Sequence, residues 1–375
     1  MDTQSHSRAV DAVIYLAACA INGKTPDAAR VAAMDLRQLY AVADRHALTA
    51  ITAAALESAG VKDPQFTQAR GKAIHKVAAM DADKALLFAR LEDAGIWYMP
   101  LKGAVLKDDY PGYGLRQMSD FDILFDADRA GEVRRILESL GFATEQYGRD
   151  AHDCYFKPPV SNFEMHRMLF DATSGDAALC AYYQRVKDRL VKDEGNRCGW
   201  HFTVEDFYIY LAAHEYKHYS HGGTGLRSLL DTYVYLRKHG DGMRWDYVRR
   251  ETEALGIAAF ESQSRSLAAK LFDGEALTTG EERMLDYITA SGTYGSVENQ
   301  VSNAVEACGG GGRGRARYLL RRVFLPMEQI RTGYSFFYRH RLLLPLLFAY
   351  RVGRALFVNR AKVQQEIRTL SEKRH

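Results

Sequence analysis

Two acidic residues inside a short apolar run constrain this chain more than any other feature. In Ser119 to Phe125 (SDFDILF), Phe121, Ile123 and Leu124 surround Asp120 and Asp122. The run is short and β-compatible, which predicts a buried strand. Side chains alternate along a strand, so Asp120 and Asp122 face one side with their carboxylates close together. Such a pair is costly to bury unless a cation lies between the two groups or they share a proton. Hard oxygen donors at this spacing suit Mg2+, which takes few carboxylates and completes its shell with water and substrate phosphate.

The residues upstream point to a phosphate ligand. Ile96 to Met99 reads as a first strand broken at Pro100, and Lys102-Gly103 leads into a short helix, AVLKDDY. A strand, a glycine and a helix N-terminus make an anion site, and Lys102 adds a point charge. Arg116, four residues before Asp120, is placed to supply a bidentate clamp. The alternative for Lys102-Gly103 is a solvated surface turn.

The sequences LKG, YPGYGLR and SDFDILF, then Gly141-Phe142 and FEMHR from Phe163 to Arg167, together resemble the uncharacterised nucleotidyltransferase family of the DNA polymerase β-type superfamily. The resemblance covers roughly residues 95 to 240. It implies an α+β fold: a small mixed-sheet nucleotidyltransferase core flanked by N-terminal and C-terminal helical regions. It implies an NTP substrate and two Mg2+ ions, with Mn2+ the alternative, held by Asp120, Asp122 and a third carboxylate, Glu164. By sequence alone Glu164 is an exposed strand residue. His166 faces the same side as Glu164 and is assigned to the acceptor or a phosphate. Superfamily members carry Gly-Ser where this chain has Lys102-Gly103.

Taken in order, residues 7 to 94 read as helical, with breaks at Asn22-Gly23, Gly60 and Gly95 and no chemistry. After the Asp120 strand comes a helix, DRAGEVRRILESLG, then strands near 143–147, 151–156 and 160–167. From about Ala177 the chain reads as helical again. His214-Glu215-x-x-His218 has the form of a zinc-protease motif. Lys217 places a cation inside it and no third ligand follows at the expected spacing. The other reading groups His214, Lys217, His218 and His221 on one helical face, followed by Arg227 and Asp231 one turn apart. In the resembled family these line the cleft opposite the Asp-x-Asp strand; the bland alternative is a buried Arg227–Asp231 ion pair. Lys102, Arg116 and Lys217 are expected to neutralise the triphosphate.

The chain has 375 residues, 47% of them hydrophobic, enough for one large or two modest domains. The expected boundaries are 1–94 for the N-terminal helices, 95–170 for the core, 171–306 for a helical domain completing the cleft and 313–375 for a basic tail. Cys308 and the glycines to Gly312 read as a flexible linker. From Arg313 onward fifteen Lys or Arg face three glutamates, a net of +12. The whole chain carries +3, so the preceding 312 residues carry −9. The tail is compatible with RNA, with an anionic membrane surface or with the chain's own acidic body. Five scattered cysteines, no apolar run long enough to span a membrane and no signal pattern give a cytoplasmic expectation. Three functions stay open: nucleotidyl transfer to an RNA, protein or small-molecule hydroxyl, a zinc hydrolase at His214 and His218, and nucleotide binding without turnover.

Overall fold

A computed structural model describes residues 3–149, 151–171, 177–293, 295–327, 330–331, 334–357, 364–366 and 368–370. Much of the basic tail beyond residue 357 therefore lies outside the described residues. The chain divides into two compact units, residues 1–216 with 225–289 and residues 217–224 with 290–375. The first unit is α+β.

Its N-terminal part is five helices: α1 (Thr3–Ile21), α2 (Ala28–Ala32), α3 (Leu36–Arg45), α4 (Thr49–Ser58) and α5 (Pro64–Ala94). The last is the platform for the sheet. Asp63 accepts hydrogen bonds from the Gln65 and Phe66 amides, Pro64 occupies the first turn, and Gly95 closes the helix in the left-handed conformation, φ 65°. Its buried residues Val77, Met80, Leu87 and Leu91 recur at helical spacing and form one stripe.

The strands β1 (Tyr98–Pro100), β2 (Phe121–Phe125), β3 (Ala143–Gln146), β4 (His152–Lys157) and β5 (Ser161–His166) make one mixed sheet in the order β1-β2-β5-β4-β3. Only the β2–β5 pair is parallel. Between the first two strands lies the short α6 (Gly103–Leu106), and α7 (Ala130–Ser139) follows β2. Phe121, Ile123, Phe163 and Met165 face the α5 stripe together with Val133 and Leu137 of α7, and form a closed apolar core. The Phe121 and Phe163 rings stack at 5.3 Å across the parallel pair. Alternation then sends Asp122 and Glu164 to the opposite face. The first strand begins two residues later than expected and runs one residue further, through Pro100, which an edge strand tolerates.

After α8 (Ala177–Tyr183) the expected run of helix is interrupted by a two-stranded ribbon, β6 (Leu190–Lys192) and β7 (Trp200–Phe202). Glu92 anchors it, accepting from the Arg197 and Cys198 amides and from the Tyr98 hydroxyl. The turn has local bonds among Asp193, Asn196 and Gly199, but its anchor lies 105 residues away in sequence, where local periodicity does not reveal it. Helices α9 (Val204–His221), α10 (Leu226–His239), α11 (Trp245–Ala254), α12 (Ala258–Asp273) and α13 (Thr279–Ser291) follow. Thr203 and Asp206 cap α9 reciprocally, and its Phe207, Tyr208 and Tyr210 enter the core that includes Leu124 and Leu101.

In the second unit α14 (Val297–Ala307) and α15 (Gly311–Val323) pack through Val301, Val305, Cys308 and Tyr318. The expected glycine linker is not a linker. Gly309 and Gly310, φ 98° and 64°, form the turn that ends α14, and Gly311 opens α15. A Cβ on Gly314 would lie 2.6 Å from the Val305 carbonyl, so glycine here permits close helix contact. In the apolar run from Leu342 to Ala349, Leu347 is buried while Leu342 and Leu346 are exposed. No helix among the described residues is long and apolar enough to cross a membrane.

Candidate active site

The parallel pairing of β2 with β5 sets Asp122 directly beside Glu164. On the other side of β5, Cys154 of β4 is the partner of Glu164, and two residues further on His166 is flanked by Leu124 and His152. Asp120 precedes β2 by one residue and looks to the same face. Both the Lys102 ammonium and the His166 Nε2 lie 2.7 Å from one oxygen of Asp122, Oδ1.

Charge in this cluster is unevenly distributed. Burial works against the ionised Asp122, yet Lys102 and His166 outweigh it and hold its carboxyl well below the usual range. Lys102 is half-buried, and Asp122 keeps its ammonium strongly protonated. Burial and the charge of Asp122 push Asp120 up, and burial with both aspartates pushes Glu164 to about 7. Burial and the neighbouring ammonium lower His166 to about 4, so at neutral pH the ring is uncharged and donates from Nε2 to Asp122. Its other nitrogen, Nδ1, is buried with no hydrogen-bond partner among the described residues, as is the Tyr210 hydroxyl. Donor atoms of Asp122, Glu164 and His166 lie within 4.8 Å of one another, and the two carboxylates are hard oxygen donors of the kind Mg2+ or Mn2+ takes; Asp120 is outside that group and acts on it through its charge.

The loop carrying Lys102 is strained. Lys102 has φ 45° and ψ −120°, one of two non-glycine residues with positive φ among those described. Such conformers cost about 1–3 kcal/mol and persist where surrounding structure imposes them. The next residue has no room for a side chain: a Cβ on Gly103 would overlap the Arg116 guanidinium. Gly103→Ser is therefore expected to lower stability by about 1–3 kcal/mol through overpacking. Urea unfolding checks this, and an unchanged midpoint would refute the packing argument.

The guanidinium that Gly103 accommodates belongs to a buried network. Arg116 donates from Nε and Nη2 to the two oxygens of Asp231, each at 2.8 Å, and the Tyr110 hydroxyl donates to Asp231 at 2.7 Å. The arginine expected to clamp phosphate thus pairs with Asp231, the residue that the alternative reading pairs with Arg227. Arg227 instead donates to the Gln117 carbonyl at 3.3 Å, and its charge acts on Asp120. Lys76 of α5 joins it: its ammonium donates to the Ser119 carbonyl at 2.6 Å and also feels Asp120. Nothing in the sequence marked Lys76, which lies 43 residues upstream in a helix without a motif.

The model of the uncharacterised nucleotidyltransferase family matches residues 32–273, more than half of the chain. The chain belongs to that family. The match begins well before the first motif and so takes in α3 to α5 of this nucleotidyltransferase-family protein. A solved structure, an antigenic nucleotidyltransferase-like protein from Paracoccidioides brasiliensis, is 13% identical, with 54% of this chain and 96% of that chain covered and a TM-score of 0.34. No curated protein matches.

The remaining motif of this family member, His214-Glu215-x-x-His218, sits on α9. Neither histidine belongs to a group of three ligand residues among those described. The His214 ring lies 6.2 Å from that of Tyr210, and the Lys217 carbonyl accepts a hydrogen bond from the His221 ring. Glu215, which a zinc hydrolase would use as its base, is buried and takes a 3.4 Å bond from Ser264, with Ser228 and Thr232 also donating. Burial and the charge of Asp231 raise it to about 7. Its folded pKa exceeds the unfolded value, so the folded chain binds the extra proton between about 4.5 and about 7 and loses stability as pH rises through that window. Glu215→Gln is accordingly expected to gain about 1–3 kcal/mol over wild type at about pH 8 and little at about pH 4. Paired melting curves at both pH values test it; equal shifts would contradict a buried, proton-binding Glu215.

Proposed function

We propose that this protein transfers a nucleoside monophosphate from an NTP to a hydroxyl acceptor at the Asp120, Asp122 and Glu164 cluster. The observation that carries the reading is the strand register: it sets Glu164 beside Asp122 on the face where Lys102 enters. Asp120, Asp122 and Glu164 would hold Mg2+, which when bound supplies Lewis-acid stabilisation of the phosphate and leaving-group charge. His166 fixes the Asp122 carboxylate through its Nε2–H. Lys102 and Arg227 supply positive charge toward a triphosphate, while Arg116 acts behind them as a positioning residue. The acceptor oxygen bonds to the α-phosphorus as the bond to pyrophosphate breaks, and Glu164 takes the acceptor's proton.

Among acceptors, the net +12 from Arg313 onward supports a polyanion such as RNA or tRNA over a protein or small-molecule hydroxyl. The test incubates the full chain with each α-labelled NTP, Mg2+ and total cellular RNA or protein. Label is expected in the RNA fraction and absent with Asp120→Asn. NTP binding without label in any fraction would instead establish the second reading, a nucleotide-binding protein without turnover. That reading is favoured by one contact, the Lys102 ammonium seated on Asp122.

A further inference from the structure

We infer that His152, Cys154 and Glu164 form a second metal site, for a soft divalent ion such as Zn2+, and that filling it draws Glu164 away from Asp122. The coupling half of this inference rests on the reading of the carboxylate cluster given above.

The site follows from strand geometry. On β4, His152 and Cys154 are two residues apart and so share a face; on β5, Glu164 is the direct partner of Cys154 across the antiparallel ladder. One donor atom from each of His152, Cys154 and Glu164 lies within 4.8 Å of the others, and His152 Nε2 is 3.6 Å from Glu164 Oε2. Three ligands held on two hydrogen-bonded strands need little ordering to close on an ion. All three are half-buried, so an ion can reach them from solvent. Cys154 is a free thiol; Cys19, Cys198 and Cys308 are buried, and no cysteine other than Cys154 joins such a group among the described residues.

The chemistry of the donors separates this group from its neighbour. Thiolate, imidazole and carboxylate in one site select zinc-like ions, with a fourth position left for water. The adjoining group of Asp122, Glu164 and His166 is richer in oxygen, and its imidazole is already bonded to Asp122. Glu164 belongs to both groups. A carboxylate can bridge two ions through separate oxygens, but here the same oxygen, Glu164 Oε2, lies 3.6 Å from His152 Nε2 and 3.8 Å from His166 Nε2, so an ion that takes it on the Cys154 side takes it from the Asp122 side and occupancy of the two is antagonistic. Binding at the soft site expels the Cys154 thiol proton to solvent and leaves the metal–thiolate bond in its place.

The experiment titrates the folded full-length chain with Co2+. A thiolate-to-cobalt charge-transfer band is expected, saturating at about one equivalent and displaced by Zn2+. The band should vanish in Cys154→Ser, weaken in affinity by roughly tenfold or more in His152→Gln, and persist in Asp120→Asn. No band in the wild type, or one that survives in Cys154→Ser, overturns the site. For the coupling, Mn2+ binding is followed by electron paramagnetic resonance, independently of turnover. Zn2+ should weaken Mn2+ binding by roughly tenfold in the wild type and leave it unchanged in Cys154→Ser. A Mn2+ affinity indifferent to Zn2+ overturns the coupling. Absence of Mn2+ binding overturns the carboxylate reading and the coupling together, while the cobalt band still decides the soft site.

Discussion

Asp120→Asn is expected to abolish transfer and leave the fold as stable as wild type or more so, whereas Asp122→Asn abolishes transfer and destabilises the fold. The two carboxylates differ because of what surrounds them. Asp120 is pushed up by burial and by Asp122, so its ionised form opposes folding at neutral pH and a neutral amide removes that opposition. Because its folded pKa lies above the unfolded one, the gain is present at about pH 8 and disappears toward about pH 3. Asp122 is the buried partner of a half-buried ammonium, its side chain 4% exposed and that of Lys102 18%. Removing its charge takes away the ion-pair partner of Lys102 and leaves only the more distant charge of Asp120, a change that costs up to about 3–5 kcal/mol, the figure for fully buried pairs. Loss of either carboxylate should lower the transfer rate by about a thousandfold or more. Label transfer and calorimetric melting, run on both variants, decide the matter. A transfer rate within about tenfold of wild type would sink the catalytic assignment. A melting temperature for Asp122→Asn equal to that of Asp120→Asn would sink the asymmetry.

Asp231→Ala should be among the most destabilising single changes in the chain. It strips the acceptor from the buried Arg116 guanidinium and from the buried Tyr110 hydroxyl at once. The expected loss is about 3–5 kcal/mol, dominated by the unpaired Arg116 charge. Arg116→Lys is not conservative here, because an ammonium cannot reproduce two parallel donors to one carboxylate. Replacing both partners together, as Arg116→Met with Asp231→Leu, should cost far less than either single change, since no buried charge is left behind. Urea denaturation of the single and double variants measures this. If the single variant loses under about 1 kcal/mol, the network is not the structural pin that links the loop before β2 to α10.

The strand that carries Asp120 and Asp122 was legible because its evidence is local. Apolar neighbours and a spacing of two are sufficient to predict burial and a shared face. The same holds for α5, whose start and stop are written in Asp63, Pro64 and Gly95. The three strands after α7 fell within a residue or two of their expected positions. Glu164 was reachable only through family resemblance, since its own segment says no more than strand. The register with β2 decides that it meets Asp122.

What the chain's residues determined unaided is therefore the local pattern: acidic side chains at strand spacing, a lysine before a glycine, and helices on either side. Tertiary structure decided the partners. Arg116 and Arg227 look interchangeable in sequence, each a cation near an apolar segment, but Gly103 leaves room for one guanidinium, and the one that fills it takes Asp231. Lys76 reaches the loop before β2 because α5 lies along the sheet, and His166 settles on Asp122 because parallel pairing sets β5 beside β2. Ion pairs and hydrogen bonds of this kind depend on distances between segments tens to hundreds of residues apart, and periodicity carries no information about those distances.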